Sequence, residues 1–160
     1  MSSSPVTPQQ HTAHIQNLIE RLTTNSPIYS ILLSSIQLVS TDPGVVTTHL
    51  VLTPTHVNSR GALHGAVSAA IVDFTTGLSI AAWDLRATTG ASVDMHMSYL
   101  STAAVGDTLE IVATAERVGG SLAYTTARIS RLVEGAEPKL VTLGQHTKYV
   151  KLPGKDMPTK

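Results

Sequence analysis

The sequence predicts an α+β domain in which a six-stranded antiparallel sheet curls around one long buried helix. Three observations predict it. Residues 64–85 are almost wholly apolar or small, a run too long for one strand and apolar on nearly every face, so other elements must cover it. Four strand-like segments follow, at residues 91–100, 107–118, 121–133 and 139–152, with turn chemistry between them at 103–107, Gly119-Gly120 and 134–138. Ahead of the helix, Asp42-Pro43-Gly44 joins two more strand-like segments into a hairpin.

Taken in chain order, residues 1–10 are rich in Ser, Pro and Gln and lack both a basic n-region and an apolar h-region. They read as a short disordered lead and not as a secretory signal. In residues 11–24, Ile15, Leu18, Ile19 and Leu22 recur at helical spacing, and residues 25–27 end the pattern. Residues 28–33 form a short apolar run, read as a further helical turn. Residues 35–41 alternate around Ile36 and Leu38, and residues 45–53 are rich in Val, Thr and Leu; these are the two hairpin strands. A loop at 54–63 carries His56, Asn58, Arg60 and Gly61 into the long helix. That helix is long enough to span a bilayer, but Asp73 sits near its middle, Ser and Thr interrupt it and no basic residues flank it, so the reading is a buried helix. Residues 153–160 are polar and read as a flexible tail, leaving one domain over 11–152.

Composition narrows the function classes. A chain of 160 residues with 42% hydrophobic content suits one core. Eleven basic residues balance eleven acidic ones, so no net field draws the chain to nucleic acid or to an anionic membrane surface. The absence of cysteine removes disulfides, a thiolate nucleophile and cysteine metal sites. It agrees with a cytoplasmic location, with a mitochondrial association left open. Asp94 and His96 lie near each other on one strand, but no His-x-x-x-His pattern accompanies them, and no metal is expected. Ser68 has no Gly-x-Ser-x-Gly surroundings that would make it a nucleophile.

Three positions carry candidate chemistry. Gly65 lies at the start of the long helix, where unpaired backbone N–H groups and the positive end of the dipole favour a developing negative charge. A substrate carbonyl placed there would be polarised, and Asn58 in the preceding loop can add an amide donor, with His64 helping to fix the loop. The other reading is that Asn58 and Gly65 only shape the loop and the helix start. Asp73 is a carboxylate within an apolar helix, costly unless something pairs with it or uses it. It is a satisfied structural residue, a general base that activates water, or a nucleophile.

These residues stand in a pattern that resembles the hot-dog-fold acyl-coenzyme A thioesterases of the phenylacetate-pathway and thioesterase-superfamily-member-2 type. The resemblance covers residues 29–150 and is densest in His56-Val57-Asn58-Ser59-Arg60-Gly61-Ala62-Leu63-His64-Gly65, Val72-Asp73, Ser92-Val93-Asp94-Met95, Tyr99 and Gly144-Gln145-His146-Thr147-Lys148. It implies the hot-dog fold and hydrolysis of an acyl thioester. It also implies catalytic roles for Asn58, Gly65, His64, Asp73 and Ser92, the last as the hydroxyl that positions water. Coenzyme A would enter as part of the substrate, along 99–104 and 117–122, implying contacts from Tyr99, Ser101, Arg117, Gly119, Gly120 and Ser121; no other cofactor is implied. Relatives often carry lysines where this chain has Ala104 and Gly120, and their His-Gly-Gly is His64-Gly65-Ala66 here. An acyl-carrier-protein thioester and a non-catalytic acyl-binding role are the alternatives. The His146-Thr147-Lys148 element reads as structural or ligand-side.

One geometric consequence concerns assembly. Gly65 and Asp73 are eight positions apart, roughly 12 Å along a helix, so one helix cannot bring both to the same carbonyl carbon. If both act in one turnover, they come from two subunits, and a two-fold homodimer holds two composite sites. In the resembling family Asn and Gly come from one protomer and Asp and Ser from the other, and the dimers pair into homotetramers.

Overall fold

A computed structural model describes residues 6–151. The predicted tail at 153–160 and the first five residues of the predicted lead lie outside the described residues. Helix α1 (Pro8–Asn25) begins three residues before the predicted start. The reason is a capping box that the Ser/Pro/Gln composition obscures: Thr7 Oγ1 accepts from the Gln10 backbone N–H at 3.2 Å, the Gln10 side chain accepts from the Thr7 N–H at 2.9 Å, and Pro8 opens the first turn. The short helix α2 (Pro27–Leu33) follows, then strands β1 (Gln37–Asp42) and β2 (Val45–Val51). A 3-10 turn at Pro54–His56 leads to the long helix α3 (Gly65–Asp84), and the meander is β3 (Ala91–Tyr99), β4 (Thr108–Val118), β5 (Leu122–Val133) and β6 (Ala136–Tyr149).

All six strands form one antiparallel sheet in the order β1-β2-β4-β5-β6-β3. The predicted turn over 134–138 is shorter than expected, because Val133 already pairs with Ala136 and Pro138 lies within β6. Proline is tolerated there because β3 pairs only as far along β6 as Thr142, so its missing N–H breaks no ladder on that side. Between the strand bulges, the helix-facing residues of the central strands are mostly small or β-branched: Ile111, Ala113 and Ala115 on β4, and Ala123, Thr125, Ala127 and Ile129 on β5, all buried. Small side chains there let α3 settle close against the sheet. Gly144 on β6 takes this furthest, since a Cβ at that position would stand 2.8 Å from a methyl of Val72.

The expectation that α3 is wrapped on nearly every face is corrected. Its C-terminal half is buried from Phe74 to Ala82. In the N-terminal half, Ala66 is exposed and Ala69, Ala70 and Asp73 are only part-buried, so within one chain a stripe of small residues ending at Asp73 stays open. Position β3 at the sheet margin leaves that strand, too, with one unpaired edge.

Candidate active site

The candidate residues fall into two clusters, one at the start of α3 and one at Asp73 near its middle. At the helix start, residues 56–64 fold back on themselves: His64 N–H donates to His56 O at 2.9 Å and Asn58 N–H to Ala62 O at 2.8 Å. The Asn58 side-chain oxygen accepts from the backbone N–H of Arg60 at 2.9 Å and of Ala62 at 3.3 Å. Asn58 therefore does shape its loop, but with its oxygen alone. Its amide N–H₂ has no partner among the described residues and is the group that can donate to a ligand. His64 is the N-cap of α3, and its Nδ1 accepts from the Ala66 N–H at 3.0 Å. With Ala66 satisfied, the Gly65 N–H remains without an acceptor among the described residues. Tyr99, at the end of β3, lies against this helix start and donates to Gly65 O at 3.3 Å.

The second cluster surrounds Asp73. Its Oδ1 accepts from Lys148 Nζ at 2.9 Å and from Ser92 Oγ at 3.1 Å, and its Oδ2 accepts from Tyr29 Oη at 2.5 Å. The Asp73 side chain is 32% exposed and that of Lys148 only 4%, so the lysine is the buried member of the pair. Burial pushes the Asp73 carboxyl pKa up, but the Lys148 charge and the hydrogen bonds from Tyr29, Lys148 and Ser92 outweigh it, leaving the carboxyl below its ordinary value. Asp73 is thus a carboxylate at neutral pH. Burial first, then the hydrogen bond to and charge of Asp73, push the Tyr29 phenol up, so it stays a proton donor.

His146 is buried behind Ser92, with Nε2 3.0 Å from Ser92 Oγ and Nδ1 2.8 Å from Thr76 Oγ1. Burial and the neighbouring Lys148 charge push its pKa down to about 4, against the opposing pull of Asp73 and Asp94. At neutral pH the imidazole is uncharged, and its 3.9 Å approach to Asp73 is a polar contact and not an ion pair. This has a stability consequence. With the folded pKa at about 4 and the ordinary value at 6.5, the unfolded chain binds the extra proton between them; the neutral ring's contribution is present above that window and is lost as pH falls through it. A thermal-unfolding series is expected to show Tm falling across that window, with a shallower fall in His146→Gln. Parallel curves for the two proteins would show that His146 is not the group responsible.

The remaining predicted contacts separate in the same way. Ser101 Oγ donates to Leu140 O at 2.6 Å, so this hydroxyl is tied into the sheet near the Tyr99 end. Gly119, Gly120 and Ser121 form the β4–β5 turn, where Ser121 O accepts from the Val150 N–H at 2.8 Å, and Arg117 is exposed at the adjoining bulge. Leu140 and Val150 are ten residues of extended chain apart, roughly 30 Å. Within one chain, Tyr99 and Ser101 go with Gly65, whereas the β4–β5 turn goes with Asp73 and Ser92.

Tyr29 and the pairing role of Lys148 were not legible in advance. A signal for Lys148 existed: Gly144, His146 and Lys148 alternate on one face of a strand whose other members on that face are buried, and an apolar helix carrying Asp73 needs a counter-charge. Nothing local pointed to Tyr29. Among the described residues no group of three or more His, Cys, Asp or Glu side chains is placed to hold a metal ion.

The site thus consists of a helix start with open donors and a separate paired carboxylate, and comparison with known proteins places the chain in a family. The family model described as Thioesterase superfamily matches residues 60–136. Human acyl-coenzyme A thioesterase 13 is 34% identical over 118 residues, spanning 74% of this chain and 81% of the relative. The chain belongs to the thioesterase superfamily. Zebra fish thioesterase superfamily member 2 superposes with a TM-score of 0.76 at 29% identity, covering 91% of this chain and 99% of that one. The Escherichia coli PaaI protein shares the fold, with a TM-score of 0.70 at 16% identity over 89% of this chain and 96% of that one. The six-stranded sheet packed on α3 is accordingly a hot-dog fold of the thioesterase type.

Proposed function

We propose that this thioesterase hydrolyses acyl-coenzyme A thioesters at sites composed from two copies of the chain. In each site the Gly65 N–H and the Asn58 amide of one copy polarise the thioester carbonyl, and Asp73 of the other copy activates a water positioned by Ser92. The observation that carries the reading is the Asp73 cluster: a carboxylate held ionised and oriented by three donors, yet left part-exposed at the end of an open stripe. The acyl-coenzyme A name of the human relative supports the substrate class.

The two-copy arrangement draws on the separation of the clusters. The open face of α3 and the free edge of β3 border both of them, and a second copy related by a two-fold axis would cover these surfaces while bringing Gly65 of one chain to Asp73 of the other. The dimers are expected to pair into a tetramer.

The test is a thiol-release assay over acyl-coenzyme A esters from acetyl to palmitoyl, with phenylacetyl included. Turnover of at least one acyl class is expected, and Asn58→Ala should lower it by roughly ten- to a thousandfold. A silent panel would reject acyl-coenzyme A as the substrate, and an unchanged rate in Asn58→Ala would remove Asn58 from the carbonyl site.

A further inference from the structure

Among the three donors to Asp73, Tyr29 is the one to which the hydrolytic scheme above gives no role of its own. Tyr29 comes from α2, far from the other site residues in sequence, and its phenol donates to Asp73 Oδ2 at 2.5 Å. The ring is held by an edge-on contact with Phe74, with centroids 5.0 Å apart and planes at 73°, so the hydroxyl is delivered by a packed side chain and not by a loose one. A carboxylate offers about four lone-pair positions. Lys148 and Ser92 occupy those of Oδ1, and Tyr29 takes one of the two on Oδ2. One acceptor position is left, on Oδ2, beside the phenol.

We propose that Tyr29 is a positioning residue for the hydrolytic reaction: its phenol pins Asp73 by Oδ2 and so makes the remaining position on that oxygen the one that receives the attacking water. The inference rests on Asp73 being the water-activating group. It adds that α2, and not only the sheet, sets the orientation of the carboxylate. The groups facing Asp73 among the described residues are Tyr29 from α2, Lys148 and His146 from β6 and Ser92 from β3. Like the Ser92 hydroxyl, the Tyr29 phenol keeps its proton throughout the working pH range, since burial and the adjacent carboxylate both oppose its ionisation. Deleting it removes a stabiliser of the ionised carboxyl, and the Asp73 pKa rises.

Tyr29→Phe removes the hydroxyl and keeps the ring on Phe74. In the full-length protein kcat is expected to fall about tenfold with KM unchanged, and the acid limb of the kcat profile should move to higher pH. The titration of the Asp73 carboxyl carbon, followed by 13C NMR in the resting protein, should move in the same direction. A fall in activity with neither the limb nor the carboxyl titration moved would mean a merely structural tyrosine and would overturn the proposal, as would a variant indistinguishable from wild type. Asp73→Asn run alongside separates the two ideas. If it is dead while Tyr29→Phe behaves as wild type, only the tyrosine role fails; if Asp73→Asn turns over normally, the Asp73 reading fails and the positioning role goes with it.

Discussion

Asp73→Asn is expected to lower thioester turnover by about a hundred- to ten-thousandfold, the contribution of a positioned general base. The amide has the shape of the carboxylate but only one acceptor oxygen, so it can accept from Ser92 or from Tyr29, which donate to opposite oxygens of Asp73, and not from both; the change removes charge and basicity together with one acceptor. It also leaves Lys148 without its partner, and with a side chain only 4% exposed that lysine becomes a buried unpaired charge. Such a charge is destabilising. The single variant should therefore melt at a lower temperature than wild type, and its kinetics belong well below that temperature. The double variant Asp73→Asn/Lys148→Met removes both charges and should recover thermal stability without recovering turnover. Recovery of turnover together with stability would mean that Asp73 serves the fold and not the chemistry.

The second large effect concerns assembly. Asn58→Ala and Asp73→Asn damage opposite clusters, so each pure variant has two impaired sites per dimer. When the two are co-expressed, about half of randomly paired dimers are mixed, and a mixed dimer holds one site carrying both substitutions and one carrying neither. Turnover is expected to return to about a quarter of the wild-type rate, well above either parent. No complementation, with mixed dimers demonstrated by differential tagging, would place both clusters in the service of a single chain. The helix geometry argues against that outcome, because the two positions are separated by roughly 12 Å along one rigid element.

Several parts of the molecule were readable from local pattern. The hairpin turn at Asp42-Pro43-Gly44, the long helix and the four-strand meander all depend on residues close together in sequence, and their order stands as expected. Boundaries were less legible. The start of α1 at Pro8 was masked by the composition of the lead, although Thr7 and Gln10 carry a capping-box spacing that marks a helix start. The end of the β5–β6 turn was displaced because Pro138 reads as a breaker, whereas its place beyond the β3 pairing makes it harmless. Asn58 was expected to donate or to shape a loop; its oxygen shapes the loop, and its amide N–H₂ is left without a partner among the described residues.

The sequence by itself determined the element order, the helix start at Gly65, the isolation of Asp73 in an apolar helix and the impossibility of one helix presenting both to one carbonyl. These follow from spacing along the chain, which the covalent backbone transmits directly. Only the tertiary structure decided what surrounds Asp73. Tyr29 and Lys148 lie 44 and 75 positions from it, and their arrival depends on where α2 packs, on β3 pairing with β6 at the sheet margin, and on Gly144 letting that strand approach α3. Contacts at such separations are set by strand register and side-chain volume across the whole core, and no local stretch of sequence carries that information.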